Sequence, residues 1–514
     1  MIASTKLYTL LSVLASGAHV KEYVSYTAAG VSSQGFISYD SGLCTAANTC
    51  PGVVIIPDWN GMNQYEMDRA CSLASMGYVA FAADIYGTDI VNSWGGAGNY
   101  GTWGAASGSH LQDAVLYMGK IVGALATLSE YEFVNSMKLA AIGYCFGGTG
   151  VINLALAGHG GASSVPTGLL GVAAYHSGSN GLLNAAEYSP SSRPKLLVHH
   201  GVADESAFPN ISMSQMELQM ESAGATYEVQ RYGPGVGHGF TAWGGHAYSA
   251  RADRHSWTST TSFLTEIFAG YDTPGQPGAP TSPILASHVD YTVENVNSRG
   301  YLAYDGSTCT AANKCPGVLV VQDWNGMNQY EMDRAHLLAA MGYVAFAADI
   351  YGIDIVSSWG GEGNFGTWAA ASSTHVQDAG LYMGKIMGAL TKLSGYEFVD
   401  SMKLAAIGYC FGGTGVMNLA LAGHGGSFSV PTGLLGVVAY HAGANGLLDP
   451  TGLSPSSRPK LAVHQGRDDP AIPIDTMTEL EGNMESAGVE FDVVWYGNGV
   501  GHGFTHWGGF AHDA

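Results

Sequence analysis

Apolar and polar positions form alternating blocks along the chain that predict strands and helices in turn. Short continuous apolar runs are typical of strands buried on both faces of a sheet, and segments with apolar residues at helical spacing lie between them. The predicted strands are GVVIIPD from Gly52, YVAFAAD from Tyr78, KLAAIGY from Lys138, KLLVHHG from Lys195 and TYEVQRYG from Thr226. The predicted helices are EMDRACSLASMG from Glu66, HLQDAVLYMGKIVGAL from His110, CFGGTGVINLALAG from Cys145 and WTSTTSFLTEIF from Trp257. This alternation predicts an α/β fold with a mostly parallel sheet and helices on both faces.

The whole pattern occurs twice. The segment DWNGMNQYEMDRA begins at Asp58 and again at Asp323, an offset of 265 residues that falls to 264 near the end. So long a period indicates duplicated domains, because solenoid repeats span only about 20–50 residues. We expect domain one at 21–272, a Pro/Gly-rich linker at 273–283 and domain two at 284–514. The second copy has no counterpart of 251–268, so either the sequence is truncated or domain two closes its sheet differently.

Composition and charge narrow the possible partners. Apolar residues make up 46% of the 514, enough for full hydrophobic cores, and a chain of this length is expected to form two or more domains. The formal net charge of −22, without a clustered Lys/Arg stripe, argues against nucleic acid or an anionic membrane surface as a partner. The sequence leaves the oligomeric state open.

The N-terminus has the order of a secretory signal peptide. Lys6 precedes an apolar stretch over 7–15, and small residues follow up to Ala18. The stretch is too short to span a bilayer, and no later segment is long and apolar enough. An ordinary N-terminal helix is the alternative. The signal interpretation of 1–18 predicts a secreted protein or one in the lumen of the secretory pathway.

Seven cysteines are consistent with that compartment. Cys44 and Cys50 in LCTAANTCPG, and Cys309 and Cys315 in TCTAANKCPG, can each close a small loop before a strand. Disulfides are expected there, with reduced thiols as the alternative if the signal interpretation fails. Cys71 has His336 as its repeat counterpart and is expected to be a small buried residue of a helix.

The chemistry is concentrated at a junction between a strand and a helix. Gly143-Tyr144-Cys145-Phe146-Gly147 and its repeat around Cys410 have the G-x-nucleophile-x-G pattern with cysteine as the nucleophile. A sulfur at a helix N-terminus is expected to favour the thiolate, and the first helical amide, on Phe146 or Phe411, points at a developing oxyanion. A small buried cysteine in a glycine-rich turn is the alternative.

An acid and a histidine follow each cysteine. Asp204 and Asp469 stand three residues after the glycine that ends a predicted strand, and His238 and His502 lie in identical GVGHGF segments. Chain order Cys, Asp, His is that of α/β-hydrolases. The expected triads are Cys145, Asp204 and His238, and Cys410, Asp469 and His502. Other histidines (His176, His199, His200 and His441) lack partners at metal-ligand spacing, and no metal or organic cofactor is implied.

GYCFGG, the aspartate after a strand ending in glycine, GHGF and GYVAFAADIYG together resemble the dienelactone hydrolase family over nearly all of both copies. The resemblance implies one α/β-hydrolase domain per copy. It also implies a second oxyanion amide on Trp59 or Trp324. At the position of a family glutamate near the nucleophile the chain has Asp58 and Asp323, auxiliary acids whose alternative role is loop capping.

The sequence departs from the family where bacterial dienelactone enzymes bind the substrate carboxylate with arginines. Thr88, Ile353, Ala242 and His506 stand at those places, so the substrate is not expected to be a dienelactone carboxylate. An aromatic insertion could form an apolar or sugar-stacking lid, or simply pack on its own domain. Its aromatic residues are Trp94, Tyr100 and Trp103 in copy one and Trp359, Phe365 and Trp368 in copy two.

These features predict a hydrolase that cleaves a small-molecule ester or lactone through an acyl-thioester intermediate. A thioesterase or acyl transferase with the same triad is one alternative. A non-catalytic secreted binding module on the same fold is the other.

Overall fold

The computed structural model describes residues 19–91, 100–160, 165–204, 212–269, 284–355, 365–425, 428, 430–450, 453–497 and 499–506. Their contacts define two compact units. The first unit comprises Met1–Leu196, Asn210–Ala223 and Thr261–Phe268, and the second comprises Leu197–Pro209, Gly224–Thr260 and Ala269–Ala514. The domain bounds drawn from the repeat remain a prediction.

The first unit is built on a sheet of strands β1 to β6 in the order β1-β2-β4-β3-β5-β6. These strands are His19–Ala28, Val31–Asp40, Cys50–Ile56, Val79–Ala82, Val134–Tyr144 and Leu169–Tyr175. β1 and β2 form an antiparallel hairpin whose second strand pairs antiparallel with β4, whereas β4, β3, β5 and β6 run parallel. The helices are α1 (Gln64–Ala74), α2 (Thr88–Val91), α3 (Tyr100–Gln112), α4 (Ala114–Ser129), α5 (Phe146–Ala157) and α6 (Met213–Ser222), with a short 3-10 helix at Ala185–Glu187.

The second unit contains a longer sheet. Its strands are β7 (Lys195–Gly201, from Leu197 on), β8 (Tyr227–Tyr232), β9 (Ile284–Val293), β10 (Val296–Asp305), β11 (Cys315–Val321), β12 (Val344–Ala348), β13 (Val399–Tyr409), β14 (Leu434–Tyr440), β15 (Lys460–Gly466) and β16 (Phe491–Tyr496). The order is β9-β10-β12-β11-β13-β14-β15-β16-β8-β7, parallel from β12 to β16 and antiparallel between β16 and β8. The helices are α7 (Ala250–Ala269, shared by both units), α8 (Gln329–Ala340), α9 (Phe365–Gln377), α10 (Ala379–Ser394), α11 (Phe411–Ala422) and α12 (Ile474–Ser486).

The α/β architecture and all five strands predicted in the first copy are confirmed. The single helix predicted from His110 is wrong, because α3 ends at Gln112 and α4 begins at Ala114 with a bend of 103° between them. Asp113 causes the break: its carboxylate accepts the Leu116 N–H at 2.9 Å and so caps a new helix. Among the described helices no single one is long and apolar enough to cross a membrane, and the bent α3–α4 pair passes that test only jointly.

The predicted disulfides are confirmed, whereas the predicted burial of Cys71 is only partial. Cys44–Cys50 and Cys309–Cys315 form the two expected disulfides. Cys71 lies in α1 as predicted but is only half-buried, because its place on the helix is at the edge of the packed face. The predicted signal at 1–18 and linker at 273–283 lie outside the described residues.

Candidate active site

Both nucleophile turns have the strained geometry that an exposed nucleophile requires. Cys145 links β5 to α5 with φ 53° and ψ −110°, and Cys410 links β13 to α11 with φ 50° and ψ −112°. A positive φ is costly for a residue with a side chain, and such strain concentrates at functional positions. Each cysteine N–H donates to the carbonyl that ends the neighbouring strand, on Tyr175 or Tyr440, at 2.9 Å.

The glycines of the turn are required because the backbone folds tightly on itself. A Cβ on Gly408 would lie 2.1 Å from the Gly412 oxygen, and a Cβ on Gly412 would lie 2.4 Å from the oxygens of Gln322 and Val321. Such contacts are far shorter than van der Waals distance. The second copy therefore has no room for a side chain at either glycine of the turn. Gly143 and Gly147 of the first copy are equally crowded.

In the second unit the predicted cysteine, histidine and aspartate of copy two come together. The Nε2 atom of His502 lies 3.1 Å from the Sγ atom of Cys410, and its Nδ1 atom lies 2.8 Å from Oδ2 of Asp469. Asp469 is buried, and it also accepts hydrogen bonds from the Ala471 N–H at 2.8 Å and the Gln465 amide at 2.6 Å. This is the connectivity of a nucleophile, a base and an orienting acid.

The electrostatics of the pair keep the aspartate ionised and the histidine basic. Burial alone would raise the pKa of Asp469, but the hydrogen bond and charge of His502, with the bonds from Ala471 and Gln465, outweigh it and hold the pKa below its ordinary value. Burial lowers the pKa of His502, but the bond and charge of Asp469 and the charge of Asp323 raise it overall. His502 is thus a stronger base than a solvated histidine.

The Cys410 thiol does not fit the expected resting thiolate. Burial, then the charge of Asp323 and a hydrogen bond with that carboxylate, raise the pKa of Cys410 well above its ordinary value. The N–H of Phe411 at the start of α11 acts in the opposite direction and is outweighed. The helix terminus alone would favour the thiolate, and the burial and the facing carboxylate that oppose it depend on the fold. At neutral pH the resting group is the thiol.

The two auxiliary aspartates both accept hydrogen bonds from their own turns. Asp323 bonds with Cys410 and accepts the Trp324 N–H in a short hydrogen bond, so this oxyanion candidate already has a carboxylate partner. Asp58 accepts the Asn60 N–H at 2.8 Å, the turn-capping geometry named as its alternative role. The Phe411 N–H forms a hydrogen bond with the Cys410 sulfur, and its role as an oxyanion donor stays a prediction.

The corresponding residues of copy one are described in two parts. Cys145 belongs to the first unit and starts α5 as Cys410 starts α11. In the second unit Nδ1 of His238 lies 3.1 and 3.0 Å from the two carboxylate oxygens of Asp204, which is fully buried.

The aromatic insertion is partly helical rather than a free loop. Tyr100 and Trp103 lie in α3, with ring centroids 5.9 and 6.2 Å from the Trp59 ring next to the nucleophile turn. In the second copy the Trp368 ring of α9 lies 6.2 Å from Trp324. The remaining candidates, Trp94, Trp359 and the Phe365 side chain, lie outside the described residues.

Several residues near the sites escaped sequence reasoning. Glu331 accepts the N–H groups of Asn328 at 2.9 Å and Asp323 at 3.2 Å, and burial first, then the Asp323 charge, raise its pKa to about 7 against the opposing bonds. The Asn-x-x-Glu capping box was readable in the sequence and could have identified it. His441, named above only as a histidine without metal-ligand partners, packs edge-on against His502 at 5.1 Å, and burial lowers its pKa to about 3. Gln465 carried no signal, because its role depends on where β15 ends. Among the described residues no group of three or more His, Cys, Asp or Glu could hold a metal ion.

A mostly parallel sheet with a nucleophile turn between strand and helix defines the α/β-hydrolase fold. The sequence matches the dienelactone hydrolase family over residues 40–268 and again over 300–509. The chain therefore belongs to the dienelactone hydrolase family, and the two matches correspond to tandem copies. It is accordingly a hydrolase of the esterase and lactonase kind with a small-molecule substrate.

Individual relatives each cover about one copy. A Bradyrhizobium sp. protein named as a probable 2-oxo-3-(5-oxofuran-2-ylidene)propanoate lactonase is 26% identical over 215 residues, 42% of this chain and 83% of that protein. The structure of a dienelactone hydrolase-like promiscuous phosphotriesterase from metagenomic libraries is 27% identical, covering 43% of this chain and 84% of that chain with a TM-score of 0.37. An esterase of the planctomycete Thermogutta terrifontis is 17% identical, covering 43% and 86% with a TM-score of 0.32.

Proposed function

We propose that the protein hydrolyses a carboxylic ester or lactone through Cys-His-Asp triads and an acyl-thioester intermediate. The observation that carries the proposal is the chain of contacts from Cys410 Sγ through both nitrogens of His502 to Asp469, at 3.1 and 2.8 Å. It gives a nucleophile with a base in reach and an acid that orients the base.

The thiol is neutral at rest, so the attack and the proton transfer are coupled. As the Cys410 sulfur bonds to the carbonyl carbon, its proton passes to Nε2 of His502, while Asp469 stabilises the resulting imidazolium. The N–H groups of Phe411 and Trp324 receive the oxyanion, the latter after Asp323 releases it. His502 then protonates the leaving alkoxide as the carbon–oxygen bond breaks and the thioester forms.

The second half of the reaction reuses the same base. His502 takes a proton from water and the hydroxyl oxygen bonds to the thioester carbon. The carbon–sulfur bond then breaks to release the acid, and the leaving sulfur takes the proton from His502, which restores the thiol and the neutral base. Cys145, Asp204 and His238 perform the same steps in copy one, and this assignment is supported by their repeat positions and by the Asp204–His238 contact of 3.0 Å. Neither step needs a metal or organic cofactor.

The substrate class follows from what surrounds the nucleophile. Thr88 and Ile353 stand where the resemblance places an arginine, so no guanidinium fork is available there for a carboxylate. Trp59 with Tyr100 and Trp103, and Trp324 with Trp368, supply an aromatic wall beside the turn. These features favour an uncharged, partly apolar ester or lactone. The paired disulfides favour action in an oxidising, secretory compartment.

The test is p-nitrophenyl ester and lactone turnover by full-length Cys145→Ala, Cys410→Ala and the double variant. Each single variant should retain the turnover of its intact site, and the double variant should fall to background. Cys71→Ala serves as the matched control and should match the parent protein. Turnover that persists in the double variant would overturn the proposal.

A further inference from the structure

Gln465 is fully buried next to the triad, and among the described residues its amide donates a hydrogen bond but accepts none. It is the penultimate residue of β15, and its Nε2 atom donates to Asp469 Oδ2 at 2.6 Å. Its Oε1 atom is buried without a hydrogen-bond partner among the described residues. The amide orientation is fixed, since an oxygen turned towards the carboxylate would be repelled.

A buried acceptor without a partner opposes folding, so stability alone does not explain a glutamine here. The same Oδ2 atom accepts from Nδ1 of His502 at 2.8 Å, and Oδ1 accepts from the Ala471 N–H at 2.8 Å. The three donors leave the carboxylate one orientation, with Oδ2 shared between the amide and the imidazole.

We propose that Gln465 is a positioning residue of the second site, whose amide fixes the Asp469 carboxylate against His502 and moderates the charge that His502 meets. The proposal rests on the proposed function of this site. Copy one carries His200 at the corresponding sequence position, so the glutamine is particular to copy two. Burial first, then the charges of Arg231 and His238, lowers the pKa of His200 to about 3, so that this imidazole is neutral.

The direction in which the pKa of His502 should move follows from Oδ2 of Asp469, which the amide and the imidazole share. Without the amide, more negative charge on Oδ2 faces His502, which favours the imidazolium and keeps the base protonated to a higher pH. The other groups acting on His502 and its neighbours are Asp323, Cys410, His441 and His506, and they stay in place.

The experiment uses full-length Cys145→Ala protein, in which only the second site acts, with and without Gln465→Met. Methionine keeps the length of the side chain and removes the donor. We expect about a tenfold loss of kcat with KM unchanged. We also expect the acid limb of the kcat/KM profile to move to higher pH, a shift that a merely structural role would not produce.

A second variant tests the proposal if the Gln465→Met protein does not fold. Gln465→Leu also removes the donor and adds no polar group, so the acid limb should again move to higher pH. An unchanged acid limb or one displaced to lower pH, in whichever variant folds, overturns the role of Gln465. Loss of the triad proposal is distinguishable, because Cys145→Ala and Cys145→Ala/Cys410→Ala would then turn over ester equally.

Discussion

At the residue scale, the Cys410 thiol of the second site lies between two hydrogen-bond acceptors, the Asp323 carboxylate and the His502 imidazole. Asp323 raises the pKa of Cys410 by its charge and its hydrogen bond, after burial, while His502 stands ready as the base. We therefore predict that Asp323→Asn lowers the pKa of Cys410 and shifts the pH midpoint of its iodoacetamide labelling downward. Labelling is measured by mass spectrometry in Cys145→Ala protein, with Cys71 as the internal reference. A midpoint that stays or rises would contradict the assigned role of Asp323.

The Asp469–His502 contact makes a second prediction at this scale. Because Asp469 raises the pKa of His502 after burial has lowered it, ester turnover by Cys145→Ala protein should have its acid limb above about 6.5, the ordinary histidine value. Asp469→Asn keeps the shape but removes the charge and disturbs the tautomer, so kcat should fall roughly 10³–10⁴-fold. The neighbouring Asp468→Asn is the control and should keep most activity, since the Asp468 carboxylate accepts the Gly499 N–H of the loop rather than a triad group.

At the element scale, the two copies offer a natural test of helix propensity. Gly104 lies in α3 on an exposed face, where an added Cβ would meet nothing within 4 Å, and copy two has Ala369 at that position of α9. Gly104→Ala should raise the free energy of unfolding by about 0.5–1 kcal/mol, and Ala369→Gly should lower it by about as much. Urea denaturation of each full-length variant measures both. Changes of the same sign would refute a propensity effect.

What the sequence could predict at this scale depended on local signals. Strands such as β3 and β5 were visible because they are continuous apolar runs, and the nucleophile turn because glycine must flank it. The break at Asp113 was missed because apolar spacing continues across it, although the aspartate is itself a capping residue. Gln465 and the thiol state of Cys410 could not be predicted, because both depend on burial and on residues distant in sequence.

At the scale of the whole molecule, the formal charge of −22 reflects 19 Lys and Arg residues against 41 Asp and Glu. The few basic side chains that form ion pairs therefore contribute more to stability. Within the second unit, β8 pairs antiparallel with β16, and Arg251 of α7 lies over that pairing. Its guanidinium forms short contacts with Asp492 and the Gly233 carbonyl, and lies 3.4 Å from Glu490. Arg251, which is 15% exposed, thus contacts two acidic residues, and of these Glu490 also lies 2.8 Å from Lys460 Nζ.

We predict that Arg251→Met destabilises the full-length protein by about 2–4 kcal/mol, because methionine replaces the apolar stem while leaving the half-buried Asp492 without its guanidinium. Asp492 keeps its contact with His255, whose Nδ1 atom lies 2.7 Å away, in both the parent protein and the variant. Urea denaturation measures the effect. The matched control is Arg254→Met on the exposed face of the same helix, which should change stability by less than about 0.5 kcal/mol. Equal losses for the two arginines would show that the Arg251 contacts do not stabilise the β8–β16 pairing.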